Sequence, residues 1–280
     1  MTSVPTRTDV EEASVRLAGR LPRTPILDGR SLGAQLKCEL FQRTGSFKAR
    51  GALNRVLQLT PDERERGVIA ISAGNHAAAI AFAAAAAGVD ALVVMWQGAS
   101  EAKIEATRRY GGTVDLEATD PAGAFERLHT LIEETGRVLV HPFDHVDVVT
   151  GQGTIGREIL EQVPDVTQVV VPIGGGGLIS GIASAFAQLE SELGRRVRVV
   201  GVQAHNAASY LASLAAGEPV SIATPLLNES YSQISSLPAS QSFTFLIVTD
   251  LGLSRGNPSA RLQTCEACTP SARETPKSTV

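Results

Sequence analysis

The chain has 280 residues, enough for one large domain or two modest domains. Hydrophobic residues make up 43% and charged residues 19%, a composition that excludes an intrinsically disordered chain. The formal net charge of -4 offers no basic surface for a phosphate backbone, so we expect no nucleic-acid partner. Three cysteines cannot form a disulfide framework, which favours a reducing, cytoplasmic setting.

No segment of the sequence predicts a membrane partner or secretion. The most apolar stretch, residues 77–89, is too short to cross a bilayer and predicts a buried helix instead. Residues 1–27 contain acidic side chains and lack the continuous apolar core of a secretory signal.

Apolar runs rich in β-branched residues alternate along the chain with alanine-rich or amphipathic segments. This alternation predicts an α/β fold with parallel strands that are buried on both faces. The predicted strands are GVIAIS (67–72), ALVVMW (91–96), TVDLEA (113–118), RVLVHPF (137–143), QVVVPIG (168–174) and VRVVGVQ (197–203). The predicted helices cover residues 10–21, 47–59, 75–88, 102–110, 122–134, 153–162 and 178–190.

The composition changes abruptly at residue 221. Residues 221–280 are rich in Ser, Thr and Pro, and only the run FTFLIVTDL in their middle has the pattern of a strand. We expect the last part, TPSARETPKSTV, to be disordered because it has too few apolar residues to pack.

The first candidate site segment is Thr-Gly-Ser-Phe-Lys-Ala-Arg-Gly, residues 44–51. Lys48 stands among small residues at the start of a predicted helix, where poor hydration makes an amine lose its proton more easily. Such a lysine can form a Schiff base. The alternative is an ordinary solvated lysine at a helix start.

The second segment, Ser-Ala-Gly-Asn-His at residues 72–76, follows a predicted strand and opens the alanine-rich helix. Ligands of parallel sheets bind beyond the carboxyl ends of the strands, where helix starts present free N–H groups to anions. The segment therefore predicts a carboxylate or phosphate site. The alternative is that Ser72 or Asn75 caps the helix and that His76 bonds a neighbouring carbonyl.

The third segment is Gly174, Gly175, Gly176 and Gly177, followed by Leu178, between a predicted strand and a predicted helix. Consecutive glycines let successive backbone N–H groups converge on one oxyanion, so this segment predicts a phosphate site. It matches neither the dinucleotide nor the nucleoside triphosphate fingerprint. A flexible tight turn without a ligand is the alternative.

These three segments together are the parts that a pyridoxal phosphate site needs. Their order resembles the fold type II pyridoxal-phosphate enzymes, specifically the threonine dehydratase and serine racemase group. The resemblance is carried by KCELFQRTGSFKARGALNRV, GVIAISAGNHAAAIAFAA, GQGTIGREILEQ and VVVPIGGGGLISGIA. It implies a tryptophan synthase β-like α/β fold of two parallel-sheet domains, with the cofactor in the cleft between them.

The domain division that this resemblance implies is discontinuous. Residues 1–60 and 139–220 would form a large cofactor-binding domain, and residues 61–138 a small mobile domain. Residues 221–280 would remain as an anomalous, partly disordered tail.

The resemblance also implies a role for each candidate residue. Lys48 would hold pyridoxal 5'-phosphate covalently and act as the general base, and Phe47 would pack beside the pyridine ring. The phenolic oxygen of the cofactor would bond to Asn75. The phosphate would bind the N–H groups of Gly174, Gly175, Gly176, Gly177 and Leu178. The substrate carboxylate would bind Ser72, Asn75 and His76.

The activity that the resemblance implies is that of a dehydratase, or ammonia-lyase. Its substrate would be a small β-hydroxy amino acid, L-threonine or L-serine, and its products a 2-oxo acid and ammonia. Members of the group usually form homodimers. Serine racemase or another β-eliminating or β-replacing enzyme of the fold is the alternative activity. An inactive relative that acts as a binding protein is the alternative of another class.

The sequence departs from the group at three places. Ala73 replaces the second catalytic serine of the racemases, which favours elimination over racemisation. After GVQ, residues 204–209 lack the carboxylates of the group's cation site, so we predict no metal. Ser254, in LSRGN, matches the serine that would reach the pyridine nitrogen, although one glycine of that motif is Arg255 here.

Overall fold

The computed structural model describes residues 4–29, 33–187, 194, 196–203, 209–218, 220 and 245–249. Within these residues, nine α-helices and nine strands alternate for most of the chain. The α-helices are Arg7–Leu17 (α1), Lys48–Val56 (α2), Pro61–Arg66 (α3), Asn75–Ala87 (α4), Glu101–Arg109 (α5), Pro121–Thr135 (α6), Val146–Gln162 (α7), Gly177–Phe186 (α8) and Ser209–Ala216 (α9). The strands are Ile26–Gly29 (β1), Ala34–Cys38 (β2), Val68–Ile71 (β3), Ala91–Trp96 (β4), Thr113–Ala118 (β5), Val138–Leu139 (β6), Gln168–Pro172 (β7), Arg198–Val202 (β8) and Phe245–Thr249 (β9).

The smaller of the two sheets has four strands in the order β5-β4-β3-β6, and all of its pairings are parallel. Its centre, β3, is apolar without alternation because both of its faces are covered. Val68 and Ala70 pack in one cluster with α4, whereas Ile69 packs with α6 on the other face. Continuous apolar runs therefore report two-sided burial here, as the sequence predicts.

The larger sheet has five strands in the order β1-β2-β9-β7-β8. Its core packs β7 against α1, α7 and α8, with Ile155, Val171 and Ile182 fully buried. The α/β fold class is confirmed, but this sheet is mixed rather than parallel throughout. Only β7 and β8 pair in parallel, and the other three pairings are antiparallel. A parallel pairing of β1 with β2 would need a crossover of about a dozen residues, and residues 30–33 are too few to supply one.

All six strands predicted before residue 221 are confirmed, and the run in the tail contains β9. The helix predicted over 153–162 begins earlier, at Val146, and β1, β2, α3 and α9 are not among the predicted elements. No helix of the described residues is long and apolar enough to span a membrane. The predicted domain division and the disorder of residues 269–280 stay predictions.

Candidate functional site

Lys48 is the first residue of α2, and a tight turn precedes the helix. Thr44 has a φ of 65°, the only positive value for a non-glycine residue in the described part of the chain, and Gly45 follows at 74°. Ser46 then returns to extended backbone. The hydroxyl oxygens of Thr44 and Ser46 are buried without a partner among the described residues. Backbone strain of this kind gathers at functional sites, because the surrounding structure must hold it in place.

The Lys48 amine lies in a poorly hydrated environment. Its Nζ donates a 2.7 Å hydrogen bond to the carbonyl oxygen of Pro142 and lies 5.1 Å from the centroid of the Phe47 ring. Burial lowers the pKa of Lys48 from 10.5 to about 8. A substantial share of the amine is therefore neutral near physiological pH, as a nucleophile or general base requires.

Residues 140–143, which follow β6, bring the three predicted segments together. The carbonyl of Val140 accepts a hydrogen bond from His76 Nε2 at 2.8 Å, and that of Pro142 accepts from Lys48. The Phe143 ring packs against Gly175 so closely that a Cβ there would lie 2.4 Å from ring atoms. The lysine, the start of α4 and the glycine loop therefore surround one short stretch of backbone.

The start of α4 presents free donors. Gly74 is the N-cap and supplies no side chain, and its own N–H bonds the Ser72 oxygen at 3.1 Å. The backbone N–H groups of Asn75 and His76 have no acceptor among the described residues. Because Ser72 accepts with its oxygen, its hydroxyl hydrogen can still donate to a ligand. This end of the helix suits a carboxylate.

The ring of His76 is neutral and its tautomer is fixed. The ring is buried, and its Nε2 must carry the hydrogen because a carbonyl oxygen only accepts. Burial, together with the charge of Lys48, lowers the pKa of His76 to about 3. In this state Nδ1 can only accept, so the donor that His76 can offer a carboxylate is its backbone N–H.

The glycine loop joins β7 to α8. Gly176 has a φ of 87°, in the left-handed region that favours glycine, and it is the N-cap of α8. The N–H groups of Gly174 to Leu178 donate to no acceptor in the part of the chain that the structure describes. Several free N–H groups at the positive end of a helix form a site for a phosphate.

A contact between α4 and α5, at the start of α4, is not apparent from the sequence. Lys103 of α5 donates a 3.0 Å hydrogen bond from Nζ to Oδ1 of Asn75. Its spacing in the sequence gives no signal for this contact, because Lys103 follows Asn75 by 28 residues.

A buried network of charges behind Lys48 is likewise not apparent from the sequence. Arg50 forms paired hydrogen bonds with both carboxylate oxygens of Glu39 and with both of Glu158. Lys37, which is fully buried, pairs with Glu158 and donates to the carbonyl of Thr24 at 2.8 Å. The four charges sum to zero, and they join β2, the first turn of α2 and α7. This network fixes the backbone next to Lys48.

Two predictions fall partly or wholly outside the described residues. Ser254 lies outside them, so its approach to a pyridine nitrogen stays a prediction. Residues 204–208 of the predicted metal-free segment are also outside. The described residues contain no group of three or more His, Cys, Asp or Glu that could hold a metal ion.

Comparison with known proteins places the chain among cofactor-dependent enzymes. Residues 19–253 match the family described as pyridoxal-phosphate dependent enzyme. The L-threonine ammonia-lyase of Thermotoga maritima is 45% identical over 215 residues, which cover 75% of this chain and 53% of that protein. The catabolic L-threonine dehydratase of Escherichia coli K12 is 42% identical over 216 residues, which cover 75% of this chain and 64% of that protein. The chain therefore spans less than two thirds of the length of these relatives.

Among solved structures, maize serine racemase matches with a TM-score of 0.73 and 35% identity. The match covers 79% of this chain and 68% of that chain. The similarity therefore extends to both the dehydratases and the racemases of the family.

Proposed function

The chain belongs to the pyridoxal-phosphate dependent enzymes, and from this premise we propose that it is a dehydratase, or ammonia-lyase, acting on L-threonine or L-serine. The observation that carries the proposal is the convergence of Lys48, the start of α4 and the glycine loop around residues 140–143. The relatives named threonine ammonia-lyase and threonine dehydratase support the choice of substrate.

The glycine loop fits the phosphate of the cofactor. Gly175 has no room for a side chain, because a Cβ would overlap the Phe143 ring, and Gly176 holds a backbone conformation that favours glycine. The free N–H groups of Gly174 to Leu178 would hold the phosphate by hydrogen bonds at the positive end of α8. A loop that served only as a turn would need neither the close contact with the Phe143 ring nor N–H groups without acceptors.

Lys48 fits the aldehyde of the cofactor and the removal of a substrate proton. When bound, the cofactor supplies a conjugated ring that delocalises the negative charge left on the substrate Cα. The low pKa of Lys48, about 8, provides a neutral amine that would bond to the aldehyde with loss of water. Once the substrate amine displaces it, the freed Lys48 amine would accept the Cα proton. The Pro142 carbonyl positions the Nζ atom, and Phe47 would pack beside the pyridine ring.

The start of α4 would hold the substrate carboxylate. Ser72 would donate through its hydroxyl, and Asn75 and His76 through their backbone N–H groups. Asn75 would also donate from its side-chain amide to the phenolic oxygen of the cofactor. Because the His76 ring is neutral, it would not form an ion pair with this carboxylate.

The test of this proposal is to replace Lys48 with Ala. Wild-type protein treated with pyridoxal phosphate and borohydride should carry a reduced adduct on the peptide that contains Lys48, and the variant should lose both adduct and elimination activity. Lys277→Ala, in the segment beyond residue 220, is the matched control and should keep both. Mass spectrometry reads the site, and an adduct retained by Lys48→Ala would contradict the assignment.

Racemisation is the second candidate, and the similarity to maize serine racemase favours it. The residue at position 73 argues against it, because the methyl group of Ala73 cannot carry a proton to the second face of the substrate. We expect L-serine to give pyruvate with little D-serine. Chiral chromatography measures the ratio, and D-serine as a main product would overturn the preference for elimination.

The working setting that we propose is a cytoplasmic homodimer. Cys38 is buried and free, as expected of a thiol in a reducing compartment. The dimer follows from the resemblance to the group and would be measured by sedimentation equilibrium.

A further inference from the structure

Lys103 is a partly buried cation whose hydrogen-bond partner is a neutral amide. Its Nζ donates to Oδ1 of Asn75 at 3.0 Å. Burial lowers the pKa of Lys103, and no carboxylate of the described residues opposes this shift. A buried ammonium is ordinarily paired with an anion, because loss of hydration destabilises an isolated charge. The Asn75 amide is therefore the group among the described residues through which this ammonium can act.

The contact with Lys103 decides which end of the Asn75 amide is free. An ammonium can only donate, so the atom that it contacts must be the amide oxygen. The opposite end, Nδ2, keeps both of its hydrogens and bonds to none of the described residues. Asn75 is therefore held as a donor to a ligand, and the nearby charge polarises the amide and makes its N–H groups stronger hydrogen-bond donors.

We infer that Lys103 is a positioning residue for the cofactor: it fixes the Asn75 amide as a donor to an anionic oxygen of bound pyridoxal phosphate. This inference rests on the proposed function, in which Asn75 bonds to the phenolic oxygen. Lys103 is the third residue of α5 and Asn75 the first residue of α4, so the packing of these two helices sets the geometry of the pair.

The experiment titrates cofactor-free protein with pyridoxal phosphate and records the affinity and the absorbance maximum of the bound cofactor. Lys103→Met keeps the length of the side chain but removes the charge and the donors. We expect its affinity to fall about tenfold, which corresponds to about 1.4 kcal/mol, and its absorbance maximum to shift. Lys103→Arg, which retains a cation and donors, should recover most of the affinity.

Arg108→Met is the matched control on the same helix. Arg108 is an exposed cation paired with Glu105, and its removal should change neither the affinity nor the absorbance. Melting temperatures of all variants, measured without cofactor, verify that each is folded. Loss of affinity in Arg108→Met equal to that in Lys103→Met would mean that only the net charge of α5 matters, and the inference would be wrong.

A double-mutant cycle separates positioning from a general effect on structure. If Lys103 acts through Asn75, Lys103→Met should cost little further affinity in an Asn75→Ala background. The same tenfold loss in both backgrounds would overturn the inference, as would an unchanged affinity in the single variant. A change confined to the Michaelis constant for the amino acid would assign Lys103 to the substrate carboxylate instead. A wild-type chain that binds no pyridoxal phosphate would contradict both the inference and the proposed function.

Discussion

The chemistry of Lys48 is set by its surroundings and not by a neighbouring base. Its lowered pKa has burial as its cause, and the polar contact that Nζ makes within the described part of the chain is with a backbone carbonyl. A carbonyl accepts from the amine in either protonation state, so it holds the side chain in place without fixing its charge. The sequence contains the signal for this environment, since small residues flank Lys48 in a largely apolar region. The contact with Pro142 could not be read from it, because 94 residues separate the two.

We expect the capture of pyridoxal phosphate by cofactor-free protein to depend on pH through Lys48. The pKa is lowered, so the neutral, nucleophilic amine increases as pH rises through about 8. The capture rate should rise about tenfold per pH unit below that value and level off above about pH 9. The measurement is stopped-flow absorbance, and the rate of a blocked free lysine, recorded alongside, is the reference that should keep rising up to about pH 10.4. A rate that kept rising to pH 10.5 would indicate an ordinary, hydrated lysine.

Among the helices and loops of the site, glycine positions decide how closely segments can approach. A Cβ at Gly151 would lie 2.7 Å from the backbone of α2, and a Cβ at Gly153 would lie 2.7 Å from the Gly181 carbonyl of α8. These contacts explain why α7 begins at Val146 and not within the predicted range. The segment VDVVTGQG has low intrinsic helix propensity, which favours a late start, but close packing against two helices overrides it.

The glycine loop allows a test at two adjacent positions. Gly175→Ala would place a Cβ 2.4 Å from atoms of the Phe143 ring, so the ring or the loop must move, at a cost of about 1–3 kcal/mol. Affinity for pyridoxal phosphate should fall accordingly, by roughly tenfold. Gly174→Ala is the matched control, because a Cβ there meets nothing within 4 Å and the backbone N–H is retained. Cofactor titration by absorbance compares the two variants.

A lower affinity for pyridoxal phosphate in Gly174→Ala than in Gly175→Ala would contradict the steric argument. Adding Phe143→Ala to Gly175→Ala removes the ring and should restore part of the lost affinity. If the double variant binds no better than Gly175→Ala, the loss arises from the loop backbone and not from the ring.

On the scale of the whole molecule, the predicted strand in the tail occupies an interior position of the larger sheet. β9 lies between β2 and β7 and pairs with both in antiparallel orientation. The local pattern of FTFLIVTDL predicts a strand, but the sequence cannot give its partners, because register between distant segments depends on packing and not on local pattern. β9 also lies between the two strands that lead to the site. β2 leads through the Thr44 turn to Lys48, and β7 leads directly into the glycine loop.

The position of β9 predicts that one substitution in the tail affects both stability and the site. Ile247 pairs with Leu36 of β2 and with Val170 of β7. Ile247→Pro removes the N–H at that position and introduces a ring that an interior strand does not accommodate. We expect the melting temperature to fall by an amount equivalent to about 1–3 kcal/mol for the lost hydrogen bond alone, against a total stability of about 5–15 kcal/mol for a protein of this kind.

Ile247→Val, which keeps a β-branched side chain and the N–H, is the control for that substitution and should melt close to wild type. The affinity for pyridoxal phosphate should fall in Ile247→Pro together with the melting temperature, because β9 sets the distance between β2 and β7 and hence between Lys48 and the glycine loop.

The parallel sheet around β3 does not contain β9, so far-ultraviolet circular dichroism of the variant should retain helical signal from α4, α5 and α6. Thermal melting and cofactor titration are measured on the same three proteins. Equal melting temperatures for the Pro and Val variants would mean that the larger sheet holds together without β9, and the site would then depend on β2 and β7 alone.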